Sequence, residues 1–247
     1  MTLGGLTPAA RWLRARAVCV VPVLLAVVCA RATAQSSGRE VYAEVLFGTA
    51  WSLPTPLIIR VPNTAPIRRR GRYSTHPWSD APYYAYRVGV GSLSERGAPA
   101  AYEVELLHHK LYLDDPRPPV EHFEVTHGYN LVTANVVRPA NQFAARFGVG
   151  LVIAHAEGRI AGERVGGTRR TFLGGGYHIA GLTAQLAVGR RYAFARGRVA
   201  VYALPEVKLT ASIARVPLGD AGGRVLVPNI AVHALAGLGV RRVAGSG

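Results

Sequence analysis

The chain has 247 residues, 29 Lys+Arg against 14 Asp+Glu, 49% hydrophobic residues and only 17% charged ones. So low a charged fraction excludes a disordered polyelectrolyte. No apolar run reaches the ~20 residues of a membrane-spanning helix, which excludes a polytopic helical membrane protein.

Residues 1–34 read as a secretory signal. Arg11, Arg14 and Arg16 form a basic start, Ala17 to Ala30 an apolar core, and Ala32-Thr33-Ala34 a small-x-small cleavage site before Gln35. Cleavage would leave 213 residues, 35–247. The four basic residues and no acid lost with the signal would leave 25 bases against 14 acids, a net +11. Both cysteines, Cys19 and Cys29, would also be lost, so the secreted chain is expected to have no disulfide.

After residue 38 the dominant period is two, the mark of strands. Residues 41–53 set Val45, Phe47 and Trp51 against Tyr42, Glu44 and Gly48. Residues 82–92 set Tyr84, Tyr86 and Val88 against Arg87 and Gly89. Residues 101–113 set Tyr102, Val104 and Leu106 against Glu103 and Glu105. Residues 122–137 set Phe123, Val125, Tyr129 and Leu131 against Glu124, Thr126, Gly128 and Asn130. Residues 143–158 set Phe147, Val149, Leu151 and Ile153 against Arg146, Gly148 and Gly150. Residues 177–192 set Leu182, Leu186 and Val188 against Thr183, Gln185 and Gly189. Residues 198–215 set Val199, Val201, Val207 and Ile213 against Tyr202, Glu206 and Lys208. Residues 229–242 set Ile230, Val232, Leu238 and Val240 against His233, Gly237, Gly239 and Arg241.

The apolar face is nearly unbroken for about 10 residues per strand, the length of a tilted membrane strand, so it is expected outside. Connections 93–99, 138–142 and 193–197 are short; 54–81, 114–121, 159–176 and 216–228 are longer. An even strand count with alternating turn lengths puts both termini on the short-turn side. The expected fold is an all-β, eight-stranded antiparallel up-and-down barrel with the first strand beside the last. A soluble lipocalin-like barrel or sandwich, with the greasy face inward, is the alternative.

This pattern resembles the small eight-stranded bacterial outer-membrane barrels of the OmpA, OmpX and OmpW type over roughly residues 39–243. The resemblance implies an outer-membrane location in a Gram-negative-type envelope, the lipids there as neighbours and the barrel-assembly machinery as a partner. It implies no activity. The chain departs from that type at its end, where Gly239-Val240-Arg241-Arg242 leads into Val243-Ala244-Gly245-Ser246-Gly247 with no terminal aromatic residue.

By parity Glu44, Arg87, Glu103, Glu105, Glu124, Arg146, Glu206, Lys208 and Arg241 face the lumen, five acids against four bases. Near-balance suits a water-poor interior, where an unpaired charge is costly. An interior this narrow holds packed side chains and leaves no pore. Arg60, Arg68, Arg69, Arg70 and Arg72, with Arg159, Arg164, Arg169 and Arg170, make two basic loops suited to lipopolysaccharide phosphates. Nucleic acid is a poor match for a secreted barrel.

Hairpin register, taken from the loop centres, sets His108 opposite His127, His127 beside His155 and His155 opposite His178. The four would form one outward patch at headgroup level on strands three to six. Such a belt could serve as an interfacial girdle or as a binding patch, for a divalent metal when neutral or for phosphate when protonated below about pH 6.5. Lipid A deacylases, also eight-stranded barrels, offer a partial resemblance: their His-x-Ser-Asn stretch compares with His127-Gly128-Tyr129-Asn130. Only His127 and Asn130 answer to it, the Asn displaced by one, and no Ser lies at outward parity near the belt. An acyl hydrolase lacking its nucleophile lacks the covalent step, so a non-enzymatic barrel is the first expectation and a lipid-modifying enzyme the alternative. No P-loop, HExxH or Cys-based metal motif is present, and no cofactor or metal is expected.

Overall fold

The computed structural model describes residues 39–79, 81–91, 101–140, 142–166, 176–194, 197–220 and 222–243. The signal segment 1–34 lies outside them, as do the turn 93–99 and the arginines Arg169 and Arg170.

Eight long strands follow one another: β1 Glu40–Ser52, β2 Tyr84–Gly91, β3 Ala101–Leu113, β4 Val120–Ala140, β5 Phe143–Ala154, β6 His178–Gly189, β7 Val199–Leu218 and β8 Gly223–Val243. Each pairs antiparallel with its neighbour in sequence. β1 also pairs with β8, from Glu40 opposite Val243 to Ser52 opposite Ala231, and this closes the ring. Closure leaves no exposed sheet edge, so every strand of the ring has a partner on both sides.

The outward face of the ring is apolar. On β7 it carries Val199, Val201, Val207, Leu209 and Ile213; on β8 Ile230, Val232, Leu238 and Val240; on β5 Phe147, Val149 and Leu151. Val199 to Ile213 is fourteen steps. At about 3.3 Å per residue and about 40° of tilt they span about 35 Å, enough for a hydrocarbon core of about 30 Å. Aromatic residues mark both rims. Tyr102, Phe143, Tyr192 and Phe194 are exposed near the turn end, and Trp51 and Trp78 near the loop end, where amphipathic rings favour a bilayer's headgroups.

Above the loop-end rim the polarity reverses. Outward positions become Arg215, Arg224, Glu121 and His122, while Leu111, Val120, Phe123, Val125, Val216 and Val225 are buried inside. The wall is continued there by added strands. Thr55–Arg60 pairs with β8 and with Ile67–Gly71; Glu157–Ile160 pairs with β4 and with Glu163–Arg164; Val165 bridges Leu218. This extension is water-facing outside and packs an apolar core inside, as a soluble sheet does.

The reversal accounts for three departures from the sequence reading. Phe123, Val125, Tyr129 and Leu131 are the inward residues of β4, and Glu124 is on the outer face, because this stretch reaches above the apolar band. The loop expected over 216–228 is the tip of the β7–β8 hairpin, whose connection is only 219–222. The β3–β4 connection is likewise only 114–119.

Val207, 60% exposed at the middle of the band, tests which solvent touches it. Val207→Arg is expected to destabilise the barrel by about 2–4 kcal/mol in phosphatidylcholine vesicles, the penalty for a cation at the bilayer midplane. An exposed site on a soluble protein would change by less than about 0.5 kcal/mol. Equilibrium denaturant unfolding measures the difference, and a change that small would mean that lipid does not touch this face.

Candidate functional site

The turn-end half of the lumen is a closed ion-pair network. Arg87 on β2 sits at its centre. Its Nη1 is 2.6 Å from Glu44 Oε2, its Nη2 2.5 Å from Glu105 and 2.7 Å from Glu206, and its Nε 3.5 Å from Glu103. Arg146 on β5 lies 3.1 Å from Glu103 and 3.2 Å from Glu206. Lys208 pairs with Glu105. All seven side chains are fully buried. Arg241 pairs with Glu40 at 2.8 Å. Glu124 is absent from the network and lies 3.3 Å from His122.

Two members have no counterpart in the sequence reading. Glu40 opens β1, and Arg191 follows β6. Arg191 turns back into the barrel mouth, 2.9 Å from Glu40 and 2.8 Å from Glu44. Its guanidinium lies between the rings of Tyr42 and Tyr202, 4.0 and 4.5 Å from their centroids. The rings in turn lie against Gly89 and Gly239, where a Cβ would come within 2.3 and 2.4 Å of ring atoms. Only a residue without a side chain leaves room for this stack. With Glu40 and Arg191 counted, the described lumen charges are Glu40, Glu44, Glu103, Glu105 and Glu206 against Arg87, Arg146, Arg191, Lys208 and Arg241. Charge is balanced five to five.

Above the network lies a layer of neutral polar groups. His233 hydrogen-bonds Thr210 at 2.8 Å and Tyr83 through its other nitrogen. His109 Nε2 is 3.1 Å from Asn229, which donates to Ser52. Gln185 donates to Thr133 and Asn135. The apolar core of the extension lies beyond this layer at the loop end, and the Arg191 stack lies at the turn end.

The four histidines of the expected belt are only partly brought together. β3 and β4 pair with a sum of 238, so His108 faces Asn130 and hydrogen-bonds it at 2.8 Å. His108 is buried and stacked on Tyr84, ring centroids 4.8 Å apart. His178 lies opposite Ala154, beyond a bulge at Ile179–Gly181. His127 and His155 do meet, with ring centroids 5.3 Å apart. The chain bulges at 126–128 opposite Lys110, and Gly128 at φ 138° takes a backbone that a side chain would strain. Glu157 places one oxygen 3.4 Å from His127 Nδ1 and 3.4 Å from His155 Nε2, and Tyr177 packs on His155. The carboxylate between the two imidazoles opposes a phosphate there. Among the described residues no group of three His, Cys, Asp or Glu is placed to hold a metal ion.

A closed eight-stranded antiparallel barrel with an apolar exterior and a paired, charged interior is the membrane-spanning kind of β-barrel. No family model matches the sequence, and no curated protein matches it. Among solved structures the chain is similar to neisserial surface protein A (NspA), with 13% identity and a TM-score of 0.35, covering 85% of this chain and 98% of that one. It is also similar to the outer membrane protease OmpT from Escherichia coli, with 10% identity and a TM-score of 0.31, covering 85% and 100%.

Two measurements bear on these sites. Arg87→Met leaves four buried carboxylates short of a cation and is expected to destabilise the fold by about 3–5 kcal/mol. Arg87→Met/Glu105→Gln is expected to recover part of the loss; equal stabilities of parent and single variant would show that the pairs contribute nothing. At the rim, burial pushes His155 below the ordinary imidazole value, with Glu157 pulling the other way. The neutral form is favoured on folding, so its contribution to stability is full above the ordinary range and lost as pH falls through it. In an NMR titration Glu157→Gln should move the His155 midpoint further down, and an upward move would exclude Glu157 as the opposing group.

Proposed function

We propose that this chain is a non-enzymatic outer-membrane barrel of a Gram-negative-type envelope, a sealed scaffold that anchors a charged outer surface among the lipids. The observation that carries this reading is the lumen itself. Among the described residues its charges are neutralised one for one and side chains fill it toward both ends, which favours a packed interior over a solute path or a substrate pocket. The loop-end extension is then the part that meets the outside, and its arginines are suited to the phosphates of lipopolysaccharide.

The acyl-hydrolase alternative has one observation in its favour, the His127–Glu157 pair at the rim, which could orient an imidazole as a base. The contact that Glu157 also makes to His155 spreads that carboxylate over two rings and suits a loop anchor better.

The test has three readouts on the folded protein. Its gel migration is expected to be heat-modifiable and its solubility detergent-dependent. Planar bilayers containing it are expected to show no conductance steps, and Arg191→Ala, which removes the stack at the turn end, is expected to introduce at most small ones because the upper core remains. Lipid A from cells with and without the protein should have the same mass. Folding without detergent, conductance by the parent, or loss of one acyl chain from lipid A would each overturn the reading.

A further inference from the structure

One outer side of the extension differs from the rest of the molecule. β7, β8, Thr55–Arg60 and Ile67–Gly71 lie side by side there. Register places Arg215 beside Leu226, Leu226 beside Ile58 and Ile58 beside Arg68 in one row. The row above sets Arg224 directly opposite Arg60; the row below ends at Arg70, paired with Pro56. These five arginines are exposed, and none has an ion pair among the described residues. They surround a small apolar centre, Ile58 and Leu226, both only half-buried.

Like charges directly opposite on an antiparallel pair destabilise it. The other such pair in the extension, Arg159 opposite Arg164, has a carboxylate near it, with Glu121 3.9 Å from Arg159. Among the described residues no carboxylate pairs with Arg60 or Arg224, and the nearest acid on these strands in sequence, Asp220, is at the hairpin tip. Acid-bearing turns reach this face only at its edges: Glu163 lies against Gly219 at the hairpin tip, and the turn that carries Asp114 and Asp115 meets the arginine strand where Arg69 donates to the Arg117 carbonyl.

The height of the patch identifies what would fill it. Ile213 and Pro228, one step below the Arg215–Leu226 row, are already on the apolar band. We propose that this face is a binding site for the phosphorylated headgroup of an outer-leaflet glycolipid. Guanidinium forks of Arg60, Arg224 and their neighbours take phosphomonoester oxygens, while acyl chains lie along β7 and β8 below. The apolar centre, continuous with the band, suits an amphiphile; a free anion would need no such continuation. The proposal rests on the outer-membrane reading and adds to it a location and a ligand class.

The test uses the whole folded barrel in phosphatidylcholine nanodiscs. The probes are bisphosphorylated lipid A, its monophosphoryl form and inorganic phosphate. Lipid A binding is expected to weaken about tenfold on loss of one phosphate, and at least about tenfold in Arg60→Gln/Arg224→Gln. Arg159→Gln/Arg164→Gln should bind as the parent does. Thermal unfolding gives a second readout with a change of sign. Without lipid A the Arg60→Gln/Arg224→Gln barrel should melt higher than the parent, because a repulsion has gone. With lipid A it should melt lower. Undiminished binding by that variant, equal weakening by the Arg159/Arg164 variant, equal affinity for the two lipid A forms, or competition by millimolar inorganic phosphate would each overturn the headgroup site. Heat-modifiable migration in the same nanodiscs separates the failures: a barrel that inserts but shows no lipid A preference sinks the site alone, and one that does not insert sinks the membrane reading as well.

Discussion

Arg87 imposes the tightest constraint on this barrel. A guanidinium with four glutamates within 3.5 Å, all desolvated, is tolerable only if every partner is in place. The glutamates come from β1, β3 and β7, and Arg146 from β5 reaches three of them, so the network ties separated parts of the ring across its centre. It also fixes register. Because side chains alternate faces, a slip of one residue on β3 would turn Glu103 and Glu105 onto the apolar exterior. A slip of two would keep them inside but move them away from Arg87. The apolar outer faces can slide past lipid at little cost, whereas the inner charges cannot slide past one another.

The same network explains why much of the fold can be read from the sequence. An alternating strand whose polar face carries charge has one reading in a narrow closed ring, and β1, β2, β3, β5, β7 and β8 follow it. β4 does not, because it crosses from one solvent regime to another. Over 131–137 its inward residues Thr133 and Asn135 meet the polar lumen; over 123–129 its inward residues Phe123, Val125 and Tyr129 meet an apolar core. Period two persists through the whole strand, but the meaning of its apolar face reverses where water replaces the band. Arg215 and Arg224, outward on β7 and β8, carry the same message and mark the height of the change in the sequence itself.

The sites were less legible than the fold, for reasons of register. The bulge at 126–128 and the β3–β4 sum of 238 move His108 three residues from His127, opposite Asn130. Three residues, 126–128, face Lys110 alone, so the pairing sum drops from 238 to 236 while Phe123, Val125, Tyr129 and Leu131 keep one face, and loop centres cannot reveal such a shift. Arg191 belongs to a turn and Glu40 opens β1, and the charge count betrays neither: without Glu124, which lies outside, four inward acids already meet four inward bases, and Glu40 and Arg191 add one of each. Nor does sequence single out Arg191 from Arg190 and Arg198, which stand close to it. Only the space above Gly89 and Gly239 selects Arg191, by letting two tyrosine rings lie flat around it.

A barrel that spends its interior on neutralising itself leaves chemistry to its outer surface, and that surface has two unlike sides. Around β4 and β5 acids and bases alternate and pair with one another: Glu124 with His122, Glu121 with Arg159, Glu157 with His127 and His155. Charges paired within the chain are already satisfied and have little to offer a ligand. Around the β7–β8 hairpin Arg60, Arg215 and Arg224 have no ion pair among the described residues, and Arg60 and Arg224 face each other. The lumen shows how unlike charges are brought together wherever this fold must exclude water. That Arg60, Arg215 and Arg224 have no paired acid among the described residues, at the height where the apolar band ends, is consistent with a surface whose counter-charge comes from the leaflet around it.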